Sequence, residues 1–180
     1  WDGTGLGDDG QIWGGEFFKY ENHAFLRCYH FDYFDFILGD KMPREPRISA
    51  LSACWDVMCA EPILERKFSQ IDWKIYRQML NSENSIQTSS VGRIFDAVAS
   101  ILGILDVQTY EGEAAMLLEV MATRYFKEHG LDFSSSYFVE GAHYYRIPTK
   151  SLMTKIIMDV HKGKSKAFIA AKFHYSLAML

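Results

Sequence analysis

The sequence predicts a mixed fold, an α+β lobe or an incomplete α/β one, with strands first and about five helices after them. Three observations carry that expectation. Residues 1–36 gather aromatic and β-branched side chains around glycines, the composition of strands and turns. Beyond residue 48, apolar side chains recur at three- and four-residue intervals, the period of helices with one buried face. No internal repeat or low-complexity tract divides the chain. Residues 1–180 therefore read as one partial domain, strand-rich over 1–47 and mainly helical over 48–180.

Along the chain, "QIWGGEFFKY" and "HAFLRCYHFDYFDFIL" read as strand, turn and further strand, a twisted hairpin region. "GDKMPREPR" (39–47) combines two prolines with alternating charge and predicts a surface loop that ends the sheet. Helical spacing follows over 48–60 and 70–81, and "NSENSIQTSS" breaks it. In "TSSVGRIFDAVASILGIL", Ser89 or Ser90 can cap a helix whose stripe is Ile94, Phe95, Val98, Ile101 and Leu102. "YEGEAAMLLEVMATRYFKEHG" predicts a second helix, with Glu111 and Glu113 at its positive end and Gly130 past its last turn. "FSSSYFVEGAHYYRIP" reads as a short strand pair or irregular segment. Two helices complete the chain, one capped by Thr149, the other with a core stripe of Ile169, Phe173, Leu177 and Leu180 and His174 at its flank.

Composition narrows the function classes. Apolar residues at 48% against 23% charged are enough to build a core, which excludes a disordered chain. A net charge of -4 provides no broad basic face, so nucleic acid is not an expected partner. The longest apolar runs, "SILGIL" and "AFIAA", fall short of the roughly 20 residues that cross a bilayer, so no membrane span is expected. Cys28, Cys54 and Cys59 are an odd set without CxxC spacing, which suits a reducing, cytoplasmic setting better than a disulfide framework. The chain opens at Trp1 without methionine, inside what reads as a strand, and is expected to be a piece of a longer protein.

The opening "WDGTGLGDDGQIWGGEFFKY" places six glycines and three aspartates in fifteen residues. Glycines let backbone amides approach an anion closely, and an aspartate beside that anion calls for a cation between them. A metal-bridged phosphate is one reading. The other is an ordinary Asp-Gly hairpin turn. No GxxxxGKS loop and no strand-GxGxxG-helix arrangement occurs, so P-loop and Rossmann sites are excluded. The histidines show no HxxxH or HExxH spacing, and no Ser, His, Asp or Cys, His set stands out as a nucleophile, so no catalytic residue is assigned.

Five blocks, "WDGTGLGDDGQIWGGEFF", "GDKMPREPRISAL", "TSSVGRIFDAVASILGI", "YEGEAAMLLE" and "KFHYSLA", follow the order and spacing of the HypF carbamoyltransferases, maturation factors of nickel-iron hydrogenases. The chain resembles the middle of that family's C-terminal module. The resemblance implies an actin, sugar kinase and Hsp70 (ASKHA) architecture around a nucleotide cleft. It also implies that carbamoyl phosphate and ATP yield carbamoyl-adenylate in a neighbouring YrdC-like domain, after which this module passes the carbamoyl group to the C-terminal cysteine of a HypE-like partner. An antibiotic-type O-carbamoyltransferase and a non-catalytic docking module are the alternatives.

By the same resemblance Asp2 is a ligand of a divalent metal, zinc or iron, whose other ligands lie outside this segment, so the isolated piece is expected to bind metal weakly and to be inactive. Gly3, Thr4 and Gly5 form the implied phosphate loop, while Gly92, Glu111, Gly112 and Glu119 flank the nucleoside. Asp96, on the side of its helix opposite the apolar stripe, either takes the two ribose hydroxyls or is a solvated first-turn acid; the family pattern favours the ribose. Two departures stand out: "LGD" (38–40) where the family favours "GGD", and Tyr175 in "FHYSLA" where the family carries an amide residue, beside a structural His174.

Overall fold

The computed structural model describes residues 4–80, 82, 85–130, 136–138 and 145–180. β1 (Gly5–Leu6) and β2 (Ile12–Trp13) pair antiparallel across the Asp-Gly turn. The Gly7 amide donates to Gln11 O at 2.8 Å, the Gly10 amide to Gly7 O at 3.0 Å, and Gly10 takes φ 75°. β3 (Glu16–Glu21) and β4 (Ala24–Phe31) form a longer hairpin with a bulge between Phe17 and Phe18. Its two-residue loop places Asn22 and His23 at φ 51° and 62°, the left-handed pair that matches the twist of the strands.

Strands also occur beyond residue 47. β5 (Phe34–Asp35) pairs antiparallel with β6 (Gln87–Thr88), and β6 pairs parallel with β2, so one sheet runs β1-β2-β6-β5. β7 (Arg146–Ile147) adds parallel to the end of β4 in the second sheet, ordered β3-β4-β7. Strands of two residues carry no period for a sequence pattern to reveal. The rest of the segment expected to be a strand pair or irregular lies largely outside the described residues.

The surface loop expected over 39–47 is instead helical. α1 (Lys41–Arg44) is followed at once by α2 (Pro46–Ala53). Both prolines stand in first turns, where no amide hydrogen is needed, so they start helices rather than end the sheet. α2 stops at Ala53, short of the expected residue 60, and α3 (Glu61–Glu65) follows a turn in which Cys59 takes φ 65°. α4 (Gln70–Met79) starts at Ser69, whose hydroxyl accepts the Asp72 amide at 3.1 Å.

α5 (Val91–Ile101) is capped by Ser90, and α6 (Glu113–His129) lies between Gly112 and Gly130 at φ 78° and 80°. α7 (Thr149–His161) departs from its expected cap. Thr149 is its first helical residue, and its hydroxyl donates to Asp32 O at 2.9 Å, tying the helix to the end of β4 rather than closing its own first turn. Ser165 caps α8 (Lys166–Ala178). The five helices α4 to α8 have ten or more residues each; α1 to α3, all shorter, bring the described total to eight. α2 packs on α5, α5 on α6 and α6 on α8, around a core that includes Phe31, Met42, Leu51, Ile94, Leu118 and Phe173. Ile169, Phe173 and Leu177 bury the stripe of α8, whereas Leu180 lies past its end and is exposed.

Candidate functional site

Two backbone bonds fasten the start of α5 to the opening hairpin: Ser89 N donates to Ile12 O at 3.1 Å and Val91 N to Gly14 O at 3.2 Å. Gly15 makes that approach possible, because a Cβ there would overlap the Ser89 carbonyl. The start of α6 reaches the same place through Gln108. Its Nε2 donates to Pro43 O at 2.6 Å and to Asp96 Oδ1 at 3.2 Å, while its Oε1 accepts the Ala114 amide at 3.1 Å. Between these elements lies a cavity of about 490 Å³ lined by Thr4, Gly14, Phe36, Pro43, the first two turns of α5, and Glu111, Gly112 and Ala115. Its size falls within the roughly 300–1,000 Å³ common for small-molecule sites.

Asp96 is not a solvated acid: only 3% of its surface is exposed. α1 and the approach to α6 cover the helix side that the sequence pattern left free. Burial pushes its carboxyl up to about 7, with Arg93 acting in the opposite sense. Arg93 Nη1 stands 3.1 Å from Asp96 Oδ2, one turn earlier on α5. The contact is not aligned as a hydrogen bond, and Asp96 Oδ2 and the Nε and Nη1 of Arg93 are buried without a hydrogen-bond partner among the described residues. Burial also lowers the pKa of Arg93, while Asp96 and Glu111 favour its charge.

Of the residues singled out in the sequence, Thr4, Gly92, Asp96, Glu111 and Gly112 line this one cavity. Gly5 opens β1 and is not in its lining. Glu119 lies further along α6 and borders a separate groove with Met116, Val120 and Thr123. Asp2 and Gly3 fall outside the described residues. Arg93 and Gln108 went unremarked in the sequence, although an Arg three residues before an Asp on a helix is a readable pairing signal; nothing local marks Gln108.

Two acids of the opening stretch, Asp9 and Glu16, have a cation of the chain's own. Asp9 accepts from the Trp13 indole at 2.9 Å and the Tyr33 hydroxyl at 2.6 Å, and pairs with Arg27 at 3.2 Å. Glu16 accepts the Gly14 and Gly15 amides at 2.6 and 2.8 Å, pairs with Arg27 at 3.0 Å and accepts from the Ser89 hydroxyl. The Arg27 guanidinium lies over the Trp13 ring at 4.0 Å. The amide nest of the Gly14–Gly15 pair is thus filled by a carboxylate of this chain. Among the described residues no group of three or more His, Cys, Asp or Glu could hold a metal ion, Asp2 lies outside them, and no step is derived through a metal.

The family model described as "Carbamoyltransferase, Kae1-like Domain, second subdomain" matches residues 1–180. The chain belongs to the HypF carbamoyltransferase family. It is 41% identical over 122 residues to carbamoyltransferase HypF2 of Cupriavidus necator, covering 67% of this chain and 15% of that protein. Against carbamoyltransferase HypF of a Synechocystis species it is 29% identical over 207 residues, covering 100% of this chain and 25% of that protein. The chain therefore spans a quarter or less of these two HypF relatives. A crystal structure of full-length HypF in a phosphate- and nucleotide-bound form superposes with a TM-score of 0.80 at 28% identity, over 98% of this chain and 23% of that one. The HypF of T. kodakarensis does so equally, with a TM-score of 0.80. The mixed fold expected from the sequence is thus that of HypF. No helix among the described residues is long and apolar enough to cross a membrane.

Proposed function

We propose that this chain supplies the nucleotide-facing wall of an ATP-dependent carbamoyltransferase that moves a carbamoyl group from carbamoyl-adenylate to the C-terminal cysteine of a HypE-like protein. One observation carries the reading: a cavity at the starts of two helices whose lining includes the buried carboxylate of Asp96 and the left-handed Gly112. Asp96 accepts the ribose hydroxyls. Gly92 and Gly112 leave backbone open beside the ligand, since a Cβ on Gly92 would meet nothing closer than Ser90 Oγ at 3.5 Å and one on Gly112 nothing within 4 Å. A full-length HypF of 28% identity, crystallised in a phosphate- and nucleotide-bound form, supports a nucleotide as the ligand.

In the transfer, the acceptor sulfur forms a bond to the carbamoyl carbon, the bond from that carbon to the adenylate oxygen breaks, and AMP leaves with the electron pair while the thiol proton passes to solvent. This chain's part is to bind and orient the adenylate. The nucleophile comes from the partner, which agrees with Cys54 being buried, its thiol pushed up by burial. The three cysteines are free, as suits a cytoplasmic setting in which the acceptor thiol stays reduced. Carbamoyl phosphate and ATP are substrates of the whole protein, and Asp2 as a metal ligand rests on the family resemblance alone. An open cavity, rather than a collapsed one, favours an enzyme over a docking module.

Calorimetric titration of the full-length protein with ATP tests the reading. Asp96→Ala removes hydrogen bonds to a charged group and is expected to weaken binding about 10- to 100-fold. Equal affinities for wild type and variant would remove Asp96 from the site.

A further inference from the structure

The backbone of β3 is paired on one side and open on the other. In its two-residue hairpin the closing pair, Glu21 and Ala24, exchange backbone bonds, and Gly15 O receives Phe31 N at 3.2 Å, so the odd-numbered residues of this stretch face β4. Ile12 and Gly14 face the other way, where their carbonyls receive Ser89 N and Val91 N at 3.1 and 3.2 Å. The extra residue of the bulge, Cys28, is on β4, so the alternation of β3 is unbroken. Phe18 and Tyr20 therefore continue the row that Ile12 and Gly14 begin, and among the described residues nothing outside the hairpin pairs with their backbone.

The side chains beside that open edge are apolar. Phe18 and Tyr20 are 50% and 60% exposed, and Phe25 joins them in one aromatic surface, its ring centroid 6.4 Å from that of Phe18 and 4.9 Å from that of Tyr20. The neighbouring charges are paired within the chain, Lys19 with Glu21 at 3.0 Å and Arg27 with Asp9 and Glu16. A charged partner finds no complement here. An extended segment with apolar side chains at alternate positions finds both ladder bonds and rings.

Direction decides the occupant. β3 starts at Glu16, about 7 Å of strand beyond Gly14, which lines the cavity together with Ser90 and Gly92. A segment running antiparallel to β3 carries its C-terminal end toward that cavity. A second copy of this chain can pair its own β3 there, but an internal hairpin brings no chain end to the cavity.

We propose that the open edge of β3 receives the C-terminal tail of the acceptor protein as an added antiparallel strand, bonded to the backbone of Phe18 and Tyr20, and so delivers the acceptor thiol to the cavity; this rests on the transfer reading above.

The test uses the full-length protein and hydrogen-deuterium exchange over residues 16–21. The probe is a synthetic peptide of the C-terminus of the HypE-like acceptor with serine in place of its cysteine, so that no transfer occurs. The Phe18 and Tyr20 amides are expected to exchange freely in the free protein and about tenfold more slowly with peptide bound. Tyr20→Pro removes an amide that β4 does not use, and Tyr20→Lys places on the edge the charge that guards natural sheet edges. Both should raise KM for the acceptor about tenfold and leave kcat and ATP affinity unchanged, a split that a merely structural tyrosine would not produce. Three results overturn the proposal: slow exchange of 16–21 in the free protein at every concentration, which makes another part of the polypeptide the occupant; slow exchange that sets in only as protein concentration rises, which makes it a second copy; or no slowing by the peptide together with an unchanged acceptor KM in both variants. Wild type that is protected by the peptide but transfers no carbamoyl group overturns the transfer reading and keeps the docking edge.

Discussion

Burial lifts the Asp96 carboxyl to about 7, and the Arg93 guanidinium 3.1 Å away opposes that rise. The charged groups facing it are few: Arg93 on its own helix and, across the cavity, Glu111, which acts on Arg93. The sign of the consequence differs between stability and binding. Because the folded value exceeds the ordinary 3.8, the stabilisation from this group is fully present below about 3.8 and is lost as pH rises through about 7. Nucleotide binding runs the other way, since accepting two hydroxyls requires the ionised form. ATP affinity is expected to weaken about tenfold between pH 8 and pH 6 in wild type, with a flat profile in Asp96→Asn, read by titration at each pH. Leu38 shows how a departure from the family pattern is tolerated. It holds φ 63° where the family favours glycine, and its side chain packs against the core, offsetting a left-handed cost of about 1–2 kcal/mol.

At the scale of elements, the glycine-rich opening resolves into a hairpin in which Asp9 and Glu16 are paired internally. Arg27 on β4 joins Asp9 in the first turn to Glu16 at the start of β3, so β1 to β4 are held by one cation stacked on Trp13. Gly15 is the point of close approach between this hairpin and the start of α5. Gly15→Ala is expected to destabilise the protein by about 1–3 kcal/mol through overlap with the Ser89 carbonyl, seen as a lowered denaturation midpoint, because backbone on both sides leaves little room to yield. The strand and helix periods in β3, β4, α5 and α6 were legible in the sequence, as were Gly130 past the end of α6 and, as one of two candidate serines, the cap Ser90. The helical start at 41–47 was misread because a proline looks the same whether it opens a helix or interrupts a strand.

Across the whole molecule, the cavity draws on residues near positions 4, 14, 36, 43, 92–96 and 111–115, brought together by the β2–β6 pairing and by Gln108. Gln108 bonds to α1, α5 and α6 together. Gln108→Ala should therefore do two things at once: lower stability by about 1–3 kcal/mol and weaken ATP binding without abolishing it. A change in the thermal midpoint with no change in affinity would confine Gln108 to a structural role. By itself the sequence determined the period and ends of the long helices, the hairpins, and enough ordered motif for family membership, because each depends on neighbours within a few residues. Tertiary structure alone decided that Asp96 is buried, that Arg93 stands 3.1 Å from it, that Glu119 belongs to another groove and that two-residue strands close the sheets. Those properties depend on which distant elements pack against a helix face, and a linear period records that a face is polar, not what covers it.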